Sequence, residues 1–170
     1  MSQAQLKLVH APHPIFKKKA QAIEHIDDQV KDWINQMFEI MAKEQGIGMG
    51  ANMVGLLKRI VVINMRQDDQ HHKYAMINPV ITEKSDETQT FEEASLSFLG
   101  ISANVTRPSS ISVTFLNEDG QSKTIRAEGF LATVIQHEID YLDGITFLDH
   151  LSKLRRDRLI KKIQTNCGCC

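Results

Sequence analysis

The segment with the clearest chemical content is Gln136-His137-Glu138-Ile139-Asp140-Tyr141. Adjacent His and Glu on a helix are typical of zinc hydrolases, in which histidines at positions i and i+4 bind the metal and the Glu acts as general base. Here the i+4 residue is Tyr141. Its neutral phenol, with a pKa of about 10, is a poor replacement for imidazole as a ligand. The alternative interpretation is therefore an ordinary buried histidine beside a surface glutamate.

Two further segments could belong to the same site. One is the glycine-rich run Gly46-Ile47-Gly48-Met49-Gly50-Ala51-Asn52-Met53-Val54-Gly55, and the other is Glu92-Glu93-Ala94-Ser95-Leu96-Ser97. With His137-Glu138-Ile139-Asp140, and in this order, they resemble the GxGxAAxQ-like loop, the EGCLS-like strand and the HExDH-like helix of the peptide deformylases. Similar residues at Ile77-Asn78-Pro79, Arg107-Pro108, Leu142-Asp143-Gly144 and elsewhere extend the resemblance to about residues 6–163.

The resemblance implies a role for several residues. In that family a cysteine of the middle motif and two histidines of the helix hold Fe(II) or zinc, which activates a water molecule, and the helix glutamate acts as the general base. His137 matches one histidine ligand and Glu138 matches the general base, while Leu96 stands where a backbone N–H faces the oxyanion. The resemblance also implies a substrate groove formed by Gly46, Ile47, Gly48, Met49 and Phe98.

Three of the metal-ligand and oxyanion positions depart from the family pattern. Ser95 replaces the cysteine ligand, Tyr141 replaces the second histidine, and Met53 replaces the glutamine that stabilises the oxyanion. A serine hydroxyl is much harder to deprotonate than a thiol and is a weak neutral ligand. A thioether cannot donate a hydrogen bond, and losing one oxyanion donor commonly lowers the rate by about 10²–10³. We therefore expect no bound metal cofactor.

Three functional hypotheses follow. The first is a peptide-deformylase-like protein without metal-dependent deformylase activity, which binds the N-terminus of a peptide or nascent chain. The alternative is an active peptide deformylase that removes the formyl group from the N-formylmethionine of nascent polypeptides. A second alternative is a repurposed hydrolase, in which Ser95 is the nucleophile and His137 is its base.

The order of predicted elements favours an α+β fold. The resemblance implies mixed or antiparallel sheets around a central helix that carries His137 and Glu138, with helices near both termini. We predict a single domain over residues 1–163 and a cysteine-rich tail over 164–170.

His71-His72 is predicted to lie in a loop over 67–73, and Arg107-Pro108 and Asn78-Pro79 are interpreted as structural turn or strand-edge positions. The predicted helices are 28–44, 129–142 and 152–163, and the predicted strands are 59–64, 74–81, 110–116 and 121–127, the last two joined at Asp119-Gly120.

Composition limits the partners that we expect. Apolar residues make up 42% of the chain and charged residues 24%, and the formal net charge is −1. This balance gives no strong electrostatic attraction to nucleic acid or to anionic membranes, so we expect neither as a partner. The sequence has no apolar run long enough to span a bilayer and no signal-peptide-like apolar segment at its N-terminus, so a cytoplasmic or organelle-matrix protein is expected.

The three cysteines, Cys167, Cys169 and Cys170, lie among the last four residues. Thiolates at this spacing could bind a soft metal ion such as copper(I) or zinc. Cysteines this close to a C-terminus could also accept a lipid. Exposed, oxidation-prone cysteines in an unstructured tail are the more common case, because chain ends are rarely ordered unless they dock.

Overall fold

The first long helix, α1, spans Asp28–Lys43. It begins where the side chain of Asp27 accepts a hydrogen bond of 3.0 Å from the backbone N–H of Val30. This cap satisfies a backbone donor that has no partner inside the helix. Apolar residues at helical spacing bury one face of α1 in the core: Val30, Ile34, Met37 and Met41. The predicted helix is confirmed.

The computed structural model describes residues 4–167. In chain order the strands are β1 (Gly48–Gly50), β2 (Ile60–Gln67), β3 (Gln70–Lys84), β4 (Thr88–Ser95), β5 (Phe98–Pro108), β6 (Ser110–Leu116) and β7 (Ser122–Glu128). Helix α2 (Gly129–Leu142) follows β7, and α3 (Lys153–Cys167) ends the described part. Strands and helices do not alternate regularly, so the α+β prediction is confirmed. None of the helices in this part of the chain is long and apolar enough to cross a membrane.

The strands form two antiparallel sheets. The larger has the order β1-β2-β3-β6-β7, and the smaller is the hairpin of β4 and β5. β1 pairs with β2, with Met49 opposite Val62, and is the edge strand of its sheet. One backbone edge of β1 therefore has no neighbouring strand in this sheet. The predicted β6–β7 hairpin around Asp119-Gly120 is confirmed.

Helix α2 lies between the two sheets and is buried along most of its length. β7 leads directly into it through Gly129, whose φ of +60° is a conformation that glycine adopts without steric cost. The side chain of Gln67 caps the start of α2, because its Oε1 accepts from the Leu131 N–H at 2.8 Å. At the other end Gly144, with φ of +75°, ends the helix as predicted. This helix carries His137 and Glu138.

Two predictions about boundaries are wrong. His71 and His72 do not lie in a loop: they belong to β3, which pairs with β2 as far as Gln67 opposite Gln70. The turn consists of Asp68 and Asp69 alone, with φ of 50° and 62°, values that short polar side chains tolerate. Helix α3 runs to Cys167 rather than ending near residue 163, so it includes part of the predicted tail. Cys169 and Cys170 lie outside the described residues.

Candidate functional site

A cavity of about 370 Å³ lies where α2, the end of β4 and the segment containing β1 meet. It brings together the three sequence motifs, which are far apart along the chain. The sequence-predicted site residues that line it are Gly46, Ile47, Gly48, Met53, Ser95, Leu96, His137 and Glu138. Apolar side chains of Phe130 and Val134 complete one side of its wall.

Two residues assigned to the site from the sequence lie elsewhere, and a third lies beside the site without lining the cavity. Met49 is fully buried on the opposite face of β1, because side chains alternate along a strand and the neighbouring glycines face α2. Phe98 lines a different cavity, beside Phe16 and Leu148. Tyr141 does not line the cavity, but its ring lies beside the His137 ring and its hydroxyl lies near the Ser95 side chain. Of the residues predicted to form the groove, Gly46, Ile47 and Gly48 line this cavity, whereas Met49 and Phe98 do not.

His137 is held by a buried ion pair that the sequence did not predict. Glu93 Oε1 lies 2.8 Å from His137 Nδ1, and Arg107 donates to both Glu93 oxygens at 2.7 and 2.9 Å. Burial alone raises the pKa of Glu93, but the hydrogen bonds from His137 and Arg107 outweigh it and the pKa falls below its ordinary value of 4.5. Glu93 is therefore a carboxylate that orients the imidazole.

The same network continues to the surface through Asp140. Arg107 Nη1 donates to Asp140 Oδ2 at 2.7 Å, and His150 Nε2 lies 2.8 Å from the same oxygen. Burial raises the pKa of Asp140, but the hydrogen bonds with His150 and Arg107 outweigh it, so the pKa is lowered. Arg107 is 4% exposed. Its interpretation as an ordinary turn or strand-edge residue is therefore incomplete, because its side chain ties β4 to α2.

Glu138 is a buried carboxylate with an unsatisfied oxygen. Burial raises the pKa of Glu138, although His137 and the backbone N–H of Gly50 favour its charged form. Its Oε2 atom has no hydrogen-bond partner among the described residues. A Cβ at Gly48 would lie 3.2 Å from the Glu138 Cγ and Oε1 atoms and 2.8 Å from Val134, so glycine is needed for this close contact. The carboxylate therefore lies directly against β1.

Tyr141 is part of an aromatic cluster in the core. Its ring lies 4.8 Å from the His137 ring, 6.0 Å from Phe16 and 6.1 Å from Phe98, measured between centroids. The Ser95 side chain interacts with the phenol, but the hydroxyl has no partner in hydrogen-bond geometry within residues 4–167. Burial raises the pKa of Tyr141 well above its ordinary value of 10.0. The phenol therefore stays protonated.

The side chains at this site do not suit the Fe(II) or zinc ion that the resemblance implies. In the part of the chain that the structure describes, no group of three His, Cys, Asp or Glu side chains could hold a metal ion. Catalytic zinc sites commonly use three protein ligands drawn from imidazole, thiolate and carboxylate. Of the three family ligand positions only His137 offers such a donor, because Ser95 offers a neutral hydroxyl and Tyr141 a buried protonated phenol.

Comparison with known sequences identifies the family of the chain. The family model for polypeptide deformylase matches residues 5–157. A relative named peptide deformylase-like, from Rickettsia conorii, is 50% identical over 157 residues, which are 92% of this chain and 86% of the relative. The peptide deformylase of Agrobacterium fabrum is 39% identical over 156 residues, which are 91% of this chain and 92% of the relative.

Solved structures agree with the sequence comparison. The crystal structure of peptide deformylase from Ehrlichia chaffeensis superposes with a TM-score of 0.91 at 34% identity, covering 96% of this chain and 97% of that one. The same enzyme in complex with actinonin also gives a TM-score of 0.91. The predicted peptide-deformylase-like fold is thus confirmed, and the chain belongs to the polypeptide deformylase family.

Proposed function

We propose that this protein binds peptide N-termini in the cavity and does not carry out metal-dependent deformylation. The observation that carries the proposal is the placement of Tyr141. Its ring packs against Phe16 and Phe98 in the aromatic core, and its hydroxyl, which lies near Ser95, stays protonated and is therefore a weak, neutral ligand. His137 is then the one strong donor left at the three family ligand positions, and a single imidazole with a serine hydroxyl is a weak site for a divalent ion.

The remaining side chains are poorly suited to replace what a metal contributes. Without a cation to polarise it, water has a pKa near 15.7 and is a weak nucleophile at neutral pH. Met53 lines the cavity and cannot donate a hydrogen bond to a developing oxyanion. Glu138 could accept a proton, but a general base alone typically accelerates a reaction only about 10²–10⁴-fold.

The edge of β1 supports the peptide-binding part of the proposal. The Asn64 N–H bonds to the Ile47 carbonyl at 2.9 Å, and Gly48 is the next residue along this strand. Hydrogen bonding alternates along an antiparallel pair, so the N–H and C=O of Gly48 are directed away from β2. Gly48 also lines the cavity. An extended peptide could pair with this edge and place its N-terminus beside Glu138.

An active peptide deformylase is the alternative function, and the names of the relatives favour it. The proteins of Agrobacterium fabrum and Brucella suis, 39% and 37% identical to this chain, are both named peptide deformylase. Activity in this chain would require a metal bound by His137 with Ser95 and Tyr141, or a reaction that proceeds through His137 and Glu138 without those ligands.

A serine hydrolase is the second alternative, and Glu93 favours it. A carboxylate on Nδ1 of a histidine is the arrangement that orients the base in Ser-His-Asp hydrolases. Two observations oppose it. Ser95 Oγ accepts a hydrogen bond from the Ser97 N–H at 3.2 Å, and within the described residues it forms none with His137. Met53 also leaves the cavity without a side-chain oxyanion donor at its position.

One set of assays tests the three functions. Formyl-Met-Ala-Ser is incubated with protein purified without chelator and then supplied with Fe(II), nickel or zinc under anaerobic conditions, and released formate is measured. We expect no turnover above the buffer rate, together with saturable binding of Met-initiated peptides by calorimetry. Metal-dependent turnover would instead establish the alternative. Metal-independent turnover that is abolished when a serine-directed probe labels Ser95 would establish the second alternative, the serine hydrolase.

A further inference from the structure

We propose that a second cavity binds a small carboxylic acid with a hydrocarbon chain, the chemistry of a free fatty acid. This cavity has a volume of about 540 Å³ and is lined mainly by residues 11–17, residues 144–149 and helix α3. Pockets for small molecules commonly have volumes of about 300–1,000 Å³. The inference goes beyond the proposed function, because it concerns a different site and does not require that the first cavity binds peptides.

The lining of the second cavity is mainly apolar. Phe16 and Phe98 lie against each other there, with ring centroids 5.2 Å apart, and are almost completely buried. Ile160 is half-buried and Pro12 is exposed, so these two residues leave apolar surface in contact with water. A hydrocarbon chain that covers this surface is itself removed from water, which favours binding.

Two cations line the same cavity without a hydrogen-bonded counterion. Within residues 4–167, Lys17 forms no ion pair. Arg156 Nη1 lies 3.8 Å from Asp149 Oδ1, which is too far for a hydrogen bond. Asp149 Oδ2 instead accepts from the Thr146 N–H at 2.8 Å. Both cations therefore keep donors that an anionic ligand could use.

The balance of charge distinguishes this cavity from the first. Asp149 is the one acidic residue among the described residues that line it, against the two cations Lys17 and Arg156. Asp157, which also interacts with Arg156, is already paired with Lys153 at 2.7 Å. The first cavity, by contrast, is lined by three glutamates and, among the described residues, by no Lys or Arg. The second cavity thus favours an anion.

Two properties of the lining together define the ligand. A carboxylate can accept two hydrogen bonds from one guanidinium, and an ammonium group beside it adds a further donor. Acetate would use these cations but leave the apolar lining in contact with water. An alkylamine would cover the apolar lining but bring a like charge to Lys17 and Arg156. A carboxylic acid with a hydrocarbon chain satisfies both parts of the cavity.

An NMR titration of the 15N-labelled wild-type protein tests the proposal. The ligands are decanoate, acetate and decylamine, each below the concentration at which it forms micelles. We expect decanoate to bind saturably and to shift the amide signals of Lys17, Gly144 and Arg156, and the other two to bind at least about 10-fold more weakly. Decanoate that does not saturate, or decylamine that binds equally well, would overturn the proposal. Shifts confined to the lining of the first cavity would also overturn it.

Substitution then locates the carboxylate. Arg156→Gln should weaken decanoate binding about 5- to 10-fold, the low end for a bond to a charged group, because the Arg156 side chain is 35% exposed. Arg158→Gln makes the same change at an exposed position of α3 that does not line the cavity, and should leave the affinity unchanged. The amide spectrum reports whether each variant is folded. Equal affinities of the two folded variants would contradict the proposed carboxylate site.

A vesicle experiment separates a free acid from a membrane lipid as the source of the ligand. The wild-type protein is mixed with phosphatidylglycerol vesicles and sedimented, with and without decanoate. We expect the protein to remain in the supernatant in both samples. Sedimentation with the vesicles that decanoate does not reverse would assign the surface to a membrane lipid and contradict the proposal.

Discussion

The Nδ1 atom of His137 lies 2.8 Å from the Oε1 atom of Glu93. A carboxylate can only accept hydrogen bonds, so Nδ1 carries a hydrogen, and in the neutral imidazole Nε2 is the ring nitrogen with a free lone pair. The pairing fixes one tautomer and one orientation of the imidazole that lines the cavity. It depends in turn on Arg107, whose side chain is almost completely buried and holds the Glu93 carboxylate in place.

Removing Arg107 should therefore destabilise the whole fold. Arg107→Ala leaves Glu93 as a buried charge without its main partner, and we expect the free energy of unfolding to fall by about 3–5 kcal/mol. Urea denaturation monitored by circular dichroism measures this change. The matched control is Arg126→Ala, because Arg126 pairs with Glu128 on the surface, where both side chains are 66% exposed. Loss of this surface ion pair should lower the free energy of unfolding by no more than about 1 kcal/mol. Equal effects of the two substitutions would contradict the role given to Arg107.

Glu138 should reveal its buried state through a dependence of stability on pH. Burial raises its pKa in the folded protein above the ordinary value of 4.5, so the folded state retains its proton at pH values where the unfolded state has lost it. The contribution of Glu138 to stability therefore becomes less favourable as pH rises from below 4.5 through the raised folded pKa. Glu138→Gln removes this contribution.

Urea denaturation across this pH range measures the Glu138 effect. The free energy of unfolding of Glu138→Gln, minus that of the wild-type protein, should increase with pH and then become constant. For Glu39→Gln, at an exposed position on α1, the corresponding difference should stay nearly flat. A difference for Glu138→Gln that decreases with pH would mean that the folded protein stabilises the charged carboxylate.

Much of the fold, but less of the site, could be predicted from the sequence. Helix α2 was predicted with its observed ends, because it begins with a mostly apolar segment after Gly129 and Asp143-Gly144 is a strong stop. β5 was missed, because the small Ala103 and the charged Arg107 interrupt the apolar pattern of its buried positions. The cap that Gln67 provides depends on tertiary contact and has no local sequence pattern.

The prediction of the site from the sequence was incomplete for a related reason. Glu93 is two residues before Ser95, so side-chain alternation along β4 could have placed both toward α2. Its partner Arg107 was hidden, because the β4–β5 register places Arg107 opposite Gln89 and not opposite Glu93, so the contact depends on how the long Arg107 side chain is oriented. Tyr141 was expected at the cavity from its i+4 spacing. Its ring is fully buried against Phe16, Phe98 and His137, so it does not line the cavity, although its hydroxyl lies near Ser95.

Tyr141 gives a prediction that tests this core position. Its buried hydroxyl has no hydrogen-bond partner within residues 4–167, and burying such a group costs free energy. Tyr141→Phe should therefore leave the free energy of unfolding unchanged or raise it by about 1 kcal/mol. Tyr74→Phe, at the half-buried second tyrosine, is the control and should change stability by no more than about 0.5 kcal/mol. A loss of more than about 1 kcal/mol in Tyr141→Phe would show that the hydroxyl makes a stabilising bond.

The most direct test of the central claim is the metal content of the wild-type protein after equilibration with zinc or, anaerobically, with Fe(II). We compare it with a Ser95→Cys/Tyr141→His variant, which restores a thiolate and a second imidazole beside His137. Elemental analysis after removal of free metal should find far less than one ion per chain in the wild-type protein. One tightly bound ion per wild-type chain, lost when His137 is replaced by alanine, would contradict the account.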